Sequence, residues 1–421
     1  MTVLHSATDE KILEAIEANH RVLFRMEALL AGGEERHTGP IIWTWLGQGK
    51  GSNIVFPKLP GSEAAAFIDR LLETYRVSTP MQADCWSLDP PEPADLGVLL
   101  LARGFHQGWR PYWMMRDLRE DFGVAGPDGL KVEADQTSDL TGLEQLPYAQ
   151  SKVLTQEGTS EGALTQRFVA RLDGEIVGHS GVLCTTGDLG VAGLYNVSVL
   201  PAYRGKGIGK ALVLATCRYA RDMGWRYAVL NASFDGRRIY TQVGFRPLGE
   251  GQTWGLVTER WLRNPPTTEQ IALAEAIGRG DTRSLEDRDP SLPLLLQRLS
   301  NGMTLMELAV HQRQPISAEW LIARGVPLRP LEAWDLEWKD RFYALLSEQP
   351  ALANETYGEG EMTLLHTAVE RGDLELLRRT LAADPDHSIR DKMYQGTALG
   401  WAHHFGRPDM IRLLKEHGRP S

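Results

Sequence analysis

At 421 residues the chain is longer than one ordinary domain, and length alone suggests roughly two to four. Its 42% hydrophobic and 24% charged residues are those of a globular protein, and a net charge of -10 argues against a sequence-independent grip on nucleic acid. Cys85, Cys184 and Cys217 are odd in number and share no metal-ligand spacing, so no metal site is expected and reduced thiols in a cytoplasmic setting fit best. No run approaches 18 apolar residues and the first residues lack a basic-then-apolar leader, so neither a membrane span nor export is expected.

Taken in order, residues 8–31 carry helical periodicity through Ile12, Ile16, Val22, Leu23, Met26, Leu29 and Leu30, and Gly32-Gly33 stops it. Strand-like runs follow at 41–46 and 53–56, then a helix over 62–75 with Ala66, Ile68, Leu71 and Leu72 inward. Cys85-Trp86 reads as strand, 94–102 as helix after the Pro90–Pro93 turn, and 109–118 as strand after Gly104-Phe105. Trp43, Trp45, Trp86, Trp109 and Trp113 crowd this half, and most of them suit a core. Gly126-Pro-Asp-Gly129 punctuates a boundary. The pattern then predicts a strand at 130–134, a helix over 138–150, and strands at 167–172 and 176–184 joined by Asp173-Gly174, a pair that favours a type I′ hairpin. A strand over 191–200, a helix over 209–223 ended by Gly224, a strand at 227–231, a helix over 235–243 and a last strand from Phe245 to near Thr258 complete the segment.

The stretch that organises this order is 194–213. A β-rich run passes through Pro201 into Arg204-Gly205-Lys206-Gly207-Ile208-Gly209 and then into the apolar-periodic Ala211, Leu212, Leu214 and Ala215. Strand, glycine loop and helix in that order place loop amides at a positive helix end, where the glycines remove side chains that would hold a ligand away. Such a nest binds phosphate. The spacing is neither a dinucleotide fingerprint nor a P-loop. R-x-x-G-x-G at 204–209, after V-x-V-x-P at 197–201, resembles the acyl-CoA-binding motif of the GNAT (Gcn5-related) N-acetyltransferases. Tyr240-Thr-Gln-Val-Gly244-Phe245, beginning 31 residues after Gly209, is similar to the closing Y-x-x-x-G-F element of the same family.

The resemblance implies an α/β (α+β) GNAT fold for 121–262, with a fourth strand splayed by a bulge over 191–200. The first 120 residues end in a similar order of helix, Gly-Phe and aromatic strand. Their glycines at 47–51 lack the motif arginine, so this half is read as a degenerate GNAT-like domain that has lost acyl-CoA binding, and the fold as duplicated.

After Asn264-Pro265-Pro266 a repeat begins. Thr363, Ala368 and Gly372 align with Thr397, Ala402 and Gly406 at a spacing of 34, and Thr304 with Ala309 and Ala276 with Gly280-Asp281 add earlier copies. This resembles ankyrin repeats, so 267–418 is expected to be an all-α solenoid with one irregular unit around 334–354. His366 belongs to the repeat's structural pattern.

What the family resemblance implies for chemistry is direct attack of a neutral amine on acetyl-CoA, the co-substrate. Val197, Ser198 and Val199 would hold the pantetheine and polarise the carbonyl; Arg204, Gly205, Lys206, Gly207, Ile208, Gly209 and Lys210 would take the pyrophosphate; Tyr240 would donate to the departing sulfur. The general base is not legible: Tyr195 and Asn196 sit on the acceptor-side strand, Glu133, His179 and Asp188 could reach a cleft, and a water relay would serve as well. The expected function is therefore an N-acetyltransferase acting on a primary amine of a small molecule, an amine-bearing antibiotic among the options, or of a protein. A protein partner would bind through the ankyrin repeats. The alternative is an acyl-CoA-binding sensor or scaffold that acts through those repeats.

Overall fold

Helix α1 (Asp9–Leu30) starts at Thr8, whose hydroxyl accepts the Lys11 amide, with Asp9 and Glu10 in the first turn beside the positive helix end. The computed structural model describes residues 2–120, 122–123, 126–155, 163–234 and 236–418. Two compact units form, Met1–Gly97 with Phe105–Leu262, and Val98–Gly104 with Arg263–Ser421. Among the described residues no helix is long and apolar enough to cross a membrane.

The larger unit is built on one sheet. Its strands are β1 (Glu34–Thr38), β2 (Ile41–Trp45), β3 (Gly51–Val55), β4 (Gln82–Leu88), β5 (His106–Gln107), β6 (Tyr112–Asp117), β7 (Lys131–Ala134), β8 (Ala163–Leu172), β9 (Glu175–Thr185), β10 (Ala192–Val199), β11 (Tyr227–Ala232) and β12 (Arg246–Val257). They run in the order β1-β2-β3-β4-β12-β6-β11-β10-β9-β8-β7, with β5 paired to β12. Helices α2 (Ala64–Val77), α3 (Leu96–Ala102), α4 (Ile208–Asp222), α5 (Gly236–Gln242) and α6 (Thr258–Arg263) complete the chain to this point. The expected start of α5 at Asp235 lies outside the described residues.

Strand β6 of the first 120 residues lies between β11 and β12 of the second segment, antiparallel to both. The long β12 pairs with β6 through Glu250 and with β4 from Gly251 onward. At that crossing a Cβ on Gly251 would fall 2.7 Å from the Trp113 indole nitrogen and 2.8 Å from Ser87 O, so only glycine passes.

One strand was not foreseen and one expected helix is missing, each for a physical reason. Strand β1, Glu-Glu-Arg-His-Thr, has no apolar alternation; it forms as an edge by pairing with β2, with Arg36 stacked 4.2 Å over Trp45 and Arg21 bound to Glu35 at 2.8 Å. The helix expected over 138–150 is absent. Pro147 removes a donor from its interior and disfavours helix before it. The segment instead turns on Asp135, which accepts the Thr137 and Ser138 amides, and Leu140, Leu146 and Ala149 form a small core of their own. The Asp173-Gly174 hairpin does form, with φ of 52° and 88°.

The sheet is covered on both faces. Ile208, Leu212 and Cys217 of α4 pack on Val182, Leu194 and Phe245. On the opposite face Ile12, Ile16 and Phe24 of α1 meet Trp113, Met115 and Val229, and Leu23 and Met26 meet Leu183 and Tyr195. Each such side chain contributes about 1.5–3 kcal/mol. Buried Asn19 is satisfied: its amide donates to Leu183 O and Thr185 Oγ1, and its oxygen accepts the Tyr195 hydroxyl at 2.6 Å.

In the smaller unit, Leu101 and Ala102 pack with Leu273 and Ile277, and Arg103, 2% exposed, donates to Glu275 at 2.6 Å. Its helices are α7 (Thr268–Arg279), α8 (Thr282–Glu286), α9 (Leu292–Leu295), α10 (Leu305–His311), α11 (Pro315–Ala323), α12 (Pro330–Asp335), α13 (Lys339–Glu348), α14 (Leu364–Arg371), α15 (Leu374–Leu381), α16 (Ala398–His404) and α17 (Pro408–His417). Pairs α7/α8, α10/α11, α12/α13, α14/α15 and α16/α17 share one joint. Gly280, Arg313, Glu337, Gly372 and Gly406 all have φ between 52° and 71°. Four residues before each stands a buried alanine, Ala276, Ala309, Ala333, Ala368 or Ala402, whose carbonyl accepts the amide just after the joint at 2.8–3.0 Å. His366 is part of this scaffold: its Nε2 donates to Gly396 O at 3.0 Å and its Nδ1 faces Thr363.

Candidate active site

The site grows from a break in pairing. Strand β10 pairs with β9 at Tyr195↔Gly181 and next at Ser198↔His179, so two residues on β10 face one on β9. Asn196, at φ 54°, takes up the extra residue. On its other edge β10 pairs with β11 only at Ala192 and Gly193, among the described residues. Beyond Gly193 the two strands diverge, and the backbone of Val197–Val199 opens onto a cavity. The corresponding edge in the first half is closed. There β3 and β4 pair from Gly51 to Val55, Phe56 N donates to Trp86 O, and Leu59 N donates to Glu92 O.

After β10 the chain turns at Pro201–Tyr203, and Arg204 donates from Nε to Val199 O at 3.2 Å. Gly205 and Gly207 then take φ of 79° and 81°, a region open to glycine without strain, and Gly207 caps α4. The first amides of this 15-residue helix have no carbonyl within the helix to bond, and they meet the diverging strands at the same place.

The cavity holds about 810 Å³. Val197, Ser198, Val199, Arg204, Gly205, Gly207, Ile208, Gly209, Lys210 and Tyr240 line it. Lys206 does not; its ammonium sits 5.1 Å from the Tyr203 ring. The wall also includes Pro147, Tyr148 and Ser233, which no motif signalled, and Tyr203, Arg238, Ile239 and Gln242, which lie within or beside the motif stretches with no role assigned to them. Arg204, Lys210 and Arg238 give the wall its charge, and no acidic side chain is among its described residues.

Tyr240, on α5, packs edge-on against Phe245 at 6.0 Å, and its hydroxyl has no hydrogen-bond partner among the described residues. Burial, helped by the nearby Tyr148 phenol, pushes its pKa up to about 12, so the group stays a hydrogen-bond donor throughout the neutral range. Ser198 Oγ and His179 Nε2 both donate to Pro147 O, at 2.9 and 2.8 Å.

The structure places the expected base candidates apart. Glu133 is exposed on β7 and Asp188 is exposed before β10. His179 is buried, committed to Pro147, and held below the usual histidine range by desolvation. Tyr195 is buried and bonded to Asn19. A carboxyl that no motif signalled, Glu27 of α1, is half-buried near Tyr195 and pushed up to about 7 by desolvation.

The acetyltransferase (GNAT) domain model matches residues 164–247, from β8 into β12. The chain carries a GNAT acetyltransferase domain. Glucosamine 6-phosphate N-acetyltransferase of Trypanosoma brucei brucei is 34% identical to this chain over 89 residues, covering 20% of this chain and 60% of that protein. The uncharacterized N-acetyltransferase YjgM of Escherichia coli (strain K12) is 33% identical over 82 residues, covering 18% and 49%. The chain thus spans about half to three-fifths of the length of these curated relatives. Among solved structures, a GCN5-related N-acetyltransferase from Kribbella flavida aligns with 56% of this chain and 95% of its own, at 15% identity and a TM-score of 0.43.

Proposed function

We propose that the protein is an acetyl-CoA-dependent N-acetyltransferase that acts on a primary amine of a small molecule or protein. The observation that carries this reading is the convergence of an unpaired strand edge, a glycine-capped helix start and Tyr240 on one cavity free of acidic side chains among its described residues. The cavity suits acetyl-CoA by this donor set. The edge of β10 over Val197–Val199, unpaired with β11 and with Val199 O accepting from Arg204 Nε, suits the pantetheine amides, and the α4 amides with Arg204 and Lys210 suit a pyrophosphate. Bound there, acetyl-CoA supplies an activated thioester.

The chain's residues then supply position and charge stabilisation. The β10 backbone polarises the carbonyl, the walls exclude water, and the Tyr240 hydroxyl donates to the sulfur as negative charge develops. At a pKa of about 12 it is a hydrogen-bond donor in the transition state rather than a full proton source, because the conjugate thiol, with a pKa of about 8.5 on the cysteine analogy, is the stronger acid.

The first half, in this reading, is a GNAT-like relic. Its Phe56 and Leu59 amides are already bonded across to Trp86 and Glu92, leaving none of them for a pantetheine arm. The paired helices of 267–418, with their repeated joint, support an ankyrin-type array that holds a protein partner. A thiol-release screen with acetyl-CoA against aminoglycosides, polyamines, peptides and lysine-rich proteins tests the reading. Tight acetyl-CoA binding with no turnover on any amine would favour the sensor alternative.

A further inference from the structure

Tyr148 belongs to the cavity wall but to no motif. It sits in the non-helical segment after β7, is 62% exposed, and has a φ of 62°. A bulky side chain in that backbone region is a true outlier, since its Cβ crowds its own carbonyl. The surroundings enforce it. The carbonyl of the preceding Pro147 is held by two donors, His179 Nε2 at 2.8 Å and Ser198 Oγ at 2.9 Å, one from β9 and one from the bulged part of β10. The chain thus spends conformational energy to keep one exposed tyrosine at the lip of the cavity, near Tyr240.

The side of the sheet identifies what this tyrosine meets. Ser180 Oγ lies 2.8 Å from Thr216 Oγ1 of α4, so alternation along β9 turns His179 to the opposite face. Pro147 therefore stands on the face away from α4, and Tyr148 follows it at the cavity wall. The α4 start carries the phosphate nest, so a thioester lying along it would leave the Pro147 side of the cavity for the acceptor. We propose that Tyr148 is a positioning residue that receives the acceptor and orients its amine toward the acyl carbonyl, its ring against the acceptor's carbon skeleton and its hydroxyl toward the acceptor's polar groups. The inference rests on the acetyltransferase reading above.

The test is steady-state kinetics of the full chain, with an amine on which the parent turns over, for Tyr148→Gly and Tyr148→Phe. Tyr148→Gly removes the side chain and the backbone strain together. It should raise the acceptor KM by about tenfold or more, leave the acetyl-CoA KM within about twofold, and raise the melting temperature by about 2–4 °C. Tyr148→Phe should recover most of the acceptor KM if the ring dominates. A surface tyrosine of no consequence gives the higher melting temperature with both KM values unchanged, which overturns the proposal. So does a raised acetyl-CoA KM with an unchanged acceptor KM, because it assigns the ring to the CoA arm. A parent chain that binds acetyl-CoA and acetylates no amine removes the underlying reading and this inference with it, whereas an active parent with indifferent variants removes only this inference.

Discussion

Replacing Tyr240 by Phe isolates one atom. The ring keeps its edge-on contact with Phe245 at 6.0 Å, and the hydroxyl removed has no hydrogen-bond partner among the described residues, so folding stability should change by no more than about 0.5 kcal/mol. The hydroxyl's role, if the reaction is as proposed, begins when charge gathers on the sulfur. A hydrogen bond to a charged group contributes about 1.5–3 kcal/mol, which converts to a loss in kcat of about 12- to 150-fold. The KM for acetyl-CoA should hold, because the neutral thioester sulfur accepts little in the ground state. With the phenol at about 12, no alkaline limb from Tyr240 should appear below about pH 10, and removing the hydroxyl should leave the shape of the pH profile unchanged. Thiol release with saturating amine, followed from pH 6 to 10 beside a thermal melt, reads all of this. A kcat within about twofold of the parent would refute the argument and leave Tyr240 as a packing residue.

Gly207→Val should cost about 1–3 kcal/mol of stability and abolish calorimetrically detectable acetyl-CoA binding, since the branched side chain must adopt φ 81° with its Cβ 3.4 Å from Gly126 N; undiminished affinity would mean the nest is not the phosphate site. Glu27 has its folded pKa raised from 4.5 to about 7, so the fold favours its neutral form: the penalty is absent below about pH 4.5, grows as pH rises to about 7, and is constant above. Discounted for its partial exposure, Glu27→Gln should therefore stabilise the protein by about 1–2 kcal/mol at pH 8 and by nothing at pH 4, as urea titrations at the two values would show. A chain ended at Asn264 loses Leu273, Ile277 and Glu275, which pack on or pair with Leu101, Ala102 and Arg103; it should express poorly, and Glu275→Ala in the full chain should cost about 1.5–3 kcal/mol by removing the carboxylate that accepts from buried Arg103, with chemical denaturation as the measure.

What could be read from the residues was whatever a residue type dictates locally. Gly205 and Gly207 were legible because their backbone conformation strongly favours glycine, and Asp173-Gly174 because its turn favours Asp and Gly. Repeated Ala and Gly positions were legible in 267–418 because each joint demands the same left-handed residue, although Arg313 and Glu337 fill it without glycine and so hid two of the joints. The polar edge strand β1 carried no apolar period to find. Leu140, Leu143 and Leu146 are spaced as in a helix that Pro147 forbids, and this masked the turn that brings Pro147 and Tyr148 to the cavity wall. The insertion of β6 lay beyond any local pattern, since Tyr112–Asp117 reads as a strand whichever partner it takes.

That insertion has a consequence for synthesis. Asp117 is joined to Arg226, 109 residues further on, by an ion pair at 2.9 Å, and β6 is bordered on both sides by strands made after residue 226. At about 5–20 residues per second the ribosome takes roughly 5–20 s to produce the first neighbour of β6. Throughout that interval Trp113 and Met115 stand on a strand with two open edges, in a segment with the makings of an aggregation hazard. A nascent chain arrested near residue 200 should be a chaperone client, and one arrested beyond residue 290, with β11 and β12 clear of the exit tunnel, should not.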